Sequence, residues 1–368
     1  MAERSAPPFR ADHVGSLLRP RTINDAFKKF HSGEIGQEAF TRVQNQAIDD
    51  VIALQESVGL KSVTDGEFRR ASYWSTFVER VDGLEVGESL FTFHDDHGHE
   101  QSFTAPIVVS KVGRSRTIAG DEFGYLKART AQTPKTTIVS PPTMHLFRLG
   151  KTIQDGVYAD TAAYFADLAA VYREEIEALA ADGCTYIQLD DVPIPMLCDP
   201  KVQARVREDG LDPDRLMADY VDLFNDCLRG RPAGVTVAVH MCRGNYKGKF
   251  LSEGGYETFA EMFFNKLDVD AFFLEYDNER SGDFEPLRFV PEDKVAVLGI
   301  VSSKTPEMES KDSLKSRIEE AAKYIGLDQL CLSPQCGFAS TVAGNPVTVD
   351  VEKAKLSLIV ETAAEVWG

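Results

Sequence analysis

Short apolar runs rich in Val, Ile, Leu and Phe recur along the chain. Each ends abruptly in Gly, Pro or charged residues, and longer stretches with apolar residues three and four apart separate them. Strands buried on both faces read as near-continuous apolar runs, whereas the three-and-four spacing marks one face of a helix. The alternation predicts repeated βα units. Eight runs fit: residues 11–16 (ADHVGS), 62–67 (SVTDGE), 136–143 (TTIVSPPT), 185–191 (TYIQLDD), 235–242 (VTVAVHMC), 271–276 (AFFLEY), 295–301 (VAVLGIV) and 330–337 (LCLSPQCG). Eight strands alternating with helices predict an α/β fold, the (β/α)8 TIM barrel.

The segments EAFTRVQNQAIDDVIALQESVG and DTAAYFADLAAVYREEIEALAADG each close on a Gly where a helix commonly stops, and they predict members of the outer helical ring. The rhythm breaks between about residues 81 and 135. Alternating, turn-rich sequence there (FTFHDDHGHEQSFTAPIVVSKVG) predicts a β-hairpin inserted between the second and third barrel strands. No repeat or Pro-rich linker divides the rest, so residues 1–368 read as one catalytic domain.

Charge narrows the choice of partner. With 40 basic and 58 acidic residues the net charge is −18, which repels phosphate backbones and anionic lipid. The opening MAERSAPPFRADH lacks the apolar stretch of a secretory signal, and no apolar run approaches the roughly 20 residues that span a bilayer. Six scattered cysteines read as reduced thiols rather than a disulfide framework. The expectation is a cytoplasmic protein acting on small molecules, without nucleic-acid or membrane partners.

The polar residues fall at the C-terminal ends of the predicted strands, the face on which barrel enzymes carry their chemistry. His240 and Cys242 lie two residues apart and so project to one side of a strand. Alone, the pair reads more often as a packed histidine beside a packed cysteine. Glu275 and Cys336 occupy equivalent ends of later strands, and one His, two Cys and one Glu form a mixed donor set that suits Zn2+. Zinc held this way can bind a substrate thiol as thiolate. HDDHGH, residues 94–99, offers three imidazoles on a hairpin tip, a place without the rigid support a metal geometry needs.

The ordered set DHVGSLLRP, TDGEFRRASYW, IQLDDVPIP, HMCRGN, FFLEYDNERSGDFEPL, VLGIVSSKTPEMES and LSPQCGFAS resembles the cobalamin-independent methionine synthase family, specifically its single-barrel members. That resemblance implies a TIM barrel, zinc on His240, Cys242, Glu275 and Cys336, and methyl transfer to the sulfur of homocysteine. It also implies that Ser16, Glu67 and Asp190 hold the amino-acid part of the acceptor, with His13 a further substrate-site candidate. Two positions depart from the family pattern: Phe147 stands where a tryptophan stacks on the pterin, and Lys304 where a histidine shuttles a proton. Lys304, His145 and His13 are the candidate proton donors, and Glu275 the candidate labile ligand. The methyl donor implied is methyl-tetrahydrofolate or methylcobalamin. Alternative readings are an alkyltransferase to another thiol, of coenzyme M type, and a zinc-binding regulator without turnover.

Overall fold

The computed structural model describes residues 4–95 and 97–368. In chain order the strands are β1 (Ser62–Val63), β2 (Asp82–His94), β3 (Glu100–Gly113), β4 (Thr133–Pro134), β5 (Thr136–Val139), β6 (Tyr186–Asp191), β7 (Thr236–Met241), β8 (Ala271–Glu275), β9 (Val295–Val301) and β10 (Leu330–Pro334). Strands β5 to β10 form one parallel sheet in sequential order. At one edge, β4 runs into β5 across Lys135 and pairs in parallel with β1. At the other, Ala11 bridges Leu332 of β10 in parallel. Between these ends, Ser62 Oγ donates to Asp12 at 2.7 Å, Thr64 Oγ1 to the Gly15 carbonyl at 2.6 Å, and the Leu17 amide to the Gly66 carbonyl at 3.1 Å. This order is that of the TIM-barrel type.

Several strands are shorter than their apolar runs for local reasons. β1 stops at Val63 because Gly66 and Glu67 both take positive φ, 68° and 62°, and turn the chain out of the ladder. β5 stops at Val139 because Pro141 and Pro142 have no amide hydrogen to give it; the helix Thr143–Leu146 begins directly after. The segment 11–16 contributes one bridge instead of a ladder. β9 covers its predicted range in full.

The two helices read from the sequence are Gln37–Ser57 and Thr161–Ala181. The second is capped by Asp160, whose carboxylate accepts from the Ala163 amide at 2.8 Å, and Gly183 (φ 90°) follows it. Helices of this kind pack on the sheet through Leu168, Tyr172, Ile176 and their neighbours. β2 and β3 form the expected antiparallel hairpin. It lies across the loops that follow β5 and β7: the Leu90 amide donates to the Phe147 carbonyl at 2.8 Å and the His94 amide to the Phe250 carbonyl at 2.9 Å. The hairpin thereby roofs the C-terminal end of the strands.

At the opposite end, the barrel interior is filled by Val14, Tyr186, Ala238, Phe273 and Val297 around a buried ion pair. Lys135 Nζ lies 3.3 Å from Asp12, which also accepts from the Tyr186 hydroxyl at 2.9 Å. These contacts satisfy the buried charges that hold the strand starts together.

Glu352, on the helix Val349–Trp367, is buried with Oε2 accepting from the Leu18 amide at 2.8 Å and Oε1 without a partner. Burial pushes its carboxyl up to about 8. Between pH 5 and 8 the folded chain therefore keeps a proton that the unfolded chain has released, so stability falls as pH rises through that window. Glu352→Gln cannot ionise and keeps an acceptor for Leu18. Its thermal midpoint, relative to the parent, should be higher at pH 8 than at pH 5; an offset equal at both would show an ordinary carboxylate at this position.

Candidate metal centre and active site

Parallel pairing sets Asp190 of β6 beside His240 of β7, and His240 beside Phe273 of β8. The two-residue period of β7 then brings Cys242 to the same side as His240, and the Cys242 amide continues the ladder to the Asp191 carbonyl at 3.0 Å. Cys336 follows β10. Its sulfur lies 3.7 Å from that of Cys242, and the donor atoms of His240, Cys242 and Cys336 all fall within 4.8 Å of one another. Among the described residues this is the one such buried cluster.

The cluster fits zinc by three measures. Two sulfurs at tetrahedral positions about 2.3 Å from zinc lie about 3.8 Å apart, close to the separation observed. Both ring nitrogens of His240 are buried without a hydrogen-bond partner. The two thiols also split: contact with Cys242, backed by His240 and Lys304, holds the Cys336 thiol well below the usual range, while the contact with Cys336 raises that of Cys242. A ready thiolate beside a free imidazole is a cation site.

Glu275, the fourth residue of the expected set, stands apart from the three. It is fully buried, its Oε1 accepts from Lys304 Nζ at 2.9 Å and Arg280 Nη2 at 2.7 Å, and its Oε2 accepts from the Arg243 amide at 2.9 Å. Burial by itself would raise the carboxyl, but Lys304, Arg280 and Arg243 outweigh it and hold Glu275 ionised. Gly299 lets the strands close around it, since a Cβ there would stand 2.6 Å from the Leu274 carbonyl.

Above the cluster opens a cavity of about 500 Å3 that Ser16, Glu67, Asp190 and Phe147 all line. The left-handed backbone of Glu67, braced by its amide on Asp65 at 2.9 Å, turns the carboxylate inward. Its Oε1 accepts from Thr137 Oγ1 at 2.8 Å, Arg70 lies 3.6 Å behind it, and its Oε2 has no partner. Asp190 accepts from Gln188 at 2.6 Å; burial and the charge of Glu67 raise its carboxyl to about 7. Ser16 sits against Gly337, where any Cβ would meet its hydroxyl at 1.8 Å. Asp191 also borders the cavity, but Ser140 Oγ (2.6 Å) and the Ile194 amide (2.8 Å) take its oxygens.

The sequence profile of the family described as cobalamin-independent synthase, catalytic domain, matches residues 9–364. The chain belongs to this family. The uncharacterized protein YxjH of Bacillus subtilis is 40% identical over 364 residues, 98% of this chain and 95% of that one. A solved structure from Listeria monocytogenes, described as a candidate vitamin-B12-independent methionine synthase, superposes with a TM-score of 0.79 at 35% identity, over 99% of this chain and 100% of that one. The methionine synthase of Sulfolobus acidocaldarius is 24% identical over 329 residues, 88% of this chain and 84% of that one. At family level the protein is methionine-synthase-like.

Three expected site residues, His13, His145 and Lys304, lie off the cavity. His13 is packed at the N-terminal ends of the strands, Nε2 3.3 Å from the Ser62 carbonyl, and burial lowers it to about 4. His145 faces the helical layer, with Nδ1 2.8 Å from the Tyr220 hydroxyl, and burial lowers it likewise to about 4. Neither lines the cavity, because the strand and the Thr143–Leu146 helix direct both rings into packed surroundings. Lys304 is spent on Glu275. Arg19 and Arg70 are structural: Arg19 clamps the carbonyls of Glu67 and Ala339, and Arg70 is held by Glu122 and Thr137. At the hairpin tip Asp95 accepts from Lys249 and from the His97 and His99 amides; Asp96 lies outside the described residues. The four other cysteines, Cys184, Cys198, Cys227 and Cys331, are free and buried.

Residue chemistry alone did not point to the aromatic upper wall. Tyr73, Trp74, Phe93, Phe103 and Tyr246 line the cavity with Phe147. In the sequence the hairpin members show only as alternating apolar positions.

After removal of bound metal, the protein should take up about one Co2+ per chain with a thiolate-to-cobalt absorption band. Cys336→Ser should weaken uptake and diminish the band while the circular dichroism is kept. Full stoichiometry and an unchanged band in that variant would place the metal elsewhere.

Proposed function

We propose that the protein is a zinc-dependent methyltransferase that methylates the thiol of homocysteine to give methionine. The observation that carries this reading is a convergence on one cavity: the buried His240, Cys242 and Cys336 at its floor, and Ser16, Glu67 and Asp190 on its walls. Zinc on the three floor residues, with Glu275 as the expected fourth ligand, would supply the positive charge that keeps a bound thiol ionised at neutral pH.

The chain's own residues do the rest. The unpartnered Oε2 of Glu67 and the carboxylate of Asp190 accept hydrogen bonds from an α-ammonium, and the Ser16 hydroxyl donates to the α-carboxylate. Arg70 and Thr137 hold Glu67 in that orientation from behind. The hairpin roof excludes water from the nucleophilic sulfur. A metal-sensing regulator would have no use for two carboxylates aimed at an amine beside the metal cluster.

The test is an acceptor comparison. Glu67→Gln should bind zinc at the parent stoichiometry but raise the homocysteine KM by about one to two orders of magnitude, the worth of one charge-assisted hydrogen bond of about 1.5–3 kcal/mol. Thiols without an amine should be poor acceptors for the parent protein. An unchanged KM in Glu67→Gln, or preference for an amine-free thiol, would contradict the assignment.

A further inference from the structure

The lining of the cavity has a marked charge asymmetry. Among the described residues no lysine or arginine faces it, whereas Glu67, Glu79, Asp190 and Asp191 all do. The nearest guanidinium groups are consumed behind the wall: Arg70 on Glu122 and Thr137, and Arg243 on the carbonyls of Gly254 and Ser281 and the Tyr256 hydroxyl. Arg116 donates to the Glu79 backbone carbonyl. A donor bearing a glutamate tail would bring carboxylates to carboxylates, with no base to meet them.

The upper wall is aromatic. Tyr246, Phe93, Phe103 and Phe147 form a continuous chain of inclined rings with centroid separations of 5.5, 4.9 and 5.1 Å, and Tyr73 and Trp74 also border the space. Ring faces set at differing angles beside carboxylates attract cations that carry methyl groups. His145 faces Tyr220 and Lys304 is bound to Glu275, so neither of these two groups meets this wall.

The geometry points to a small methyl-onium cation, a methylsulfonium or a quaternary ammonium, as the methyl donor, in place of the methyl-folate or methylcobalamin that the sequence resemblance implies. This rests on the thiol methyltransferase reading above. The acceptor thiol loses its proton to solvent and its sulfur lone pair forms the new bond to the methyl carbon. The C–S+ or C–N+ bond breaks, its electron pair stays on the leaving atom, and a neutral thioether or tertiary amine departs. Such a leaving group needs no proton, whereas a folate nitrogen would need one.

Calorimetry on the protein as purified, with trimethylsulfonium and tetramethylammonium as probes, should show binding of at least one. Turnover with zinc and homocysteine should then follow the same probe, faster than with methyl-folate carrying one or three glutamates or with methylcobalamin at equal concentration. Phe93→Leu and Phe103→Leu should each raise the donor KM about three- to thirty-fold, while Phe93→Tyr, which keeps the ring face, should stay near the parent value. Homocysteine methylated from methyl-folate or methylcobalamin, with neither onium probe bound nor used, would overturn the donor assignment and leave the acceptor reading standing. Failure to bind zinc and homocysteine at all would overturn both.

Discussion

Both ring nitrogens of His240, and Oε2 of Glu67 on the wall above it, are buried without a hydrogen-bond partner, so the folded chain bears a desolvation cost that a bound cation and a bound ammonium would offset. Leaving a polar group in this state costs about 1–3 kcal/mol each. The surrounding structure keeps these atoms unsatisfied. β6 and β7 fix Asp190 and His240 side by side through a regular parallel register, and the left-handed turn at Gly66 and Glu67 prevents the Glu67 carboxylate from folding back. Neither group can relax onto a neighbour without breaking a ladder or a braced turn.

The neighbouring charges are handled in the opposite way. Arg70, Arg243 and Glu275 are buried as deeply, yet every polar side-chain atom of each has a partner. Glu122 reaches Arg70 from the helix Gly120–Lys127, inside the insertion, so the inserted segment both roofs the cavity and neutralises the cation behind the Glu67 carboxylate. These satisfied charges make a rigid shell, while His240 and Glu67 face the cavity with atoms left free. Seen this way, Lys304 belongs to the shell, where it keeps Glu275 ionised beside the metal cluster.

What was legible in the sequence follows period and chemistry. Buried parallel strands announce themselves as apolar runs, and β9 agrees with its run to the residue. The cluster of His240, Cys242 and Cys336 was legible because few cysteines and histidines fall at strand ends. Segment 11–16 and β1 were overread because turn geometry at Gly15, Gly66 and Glu67 decides their ends, and apolarity does not report φ. His13 and His145 were misplaced for a related reason: a histidine near a strand end looks the same in sequence whether its ring meets a cavity or, as here, Ser62 and Tyr220. The aromatic wall was hidden because it is assembled from the hairpin and from the loops after β1, β5 and β7, which meet only in the folded chain.

The central claim is that the floor of this cavity activates a thiol by binding its sulfur next to Cys242 and Cys336. X-ray absorption at the zinc edge, recorded before and after addition of homocysteine, tests it most directly. The account predicts two sulfur neighbours at about 2.3 Å without acceptor and three with it, at the expense of one lighter ligand. A sulfur count that stays at two when homocysteine is saturating would contradict it.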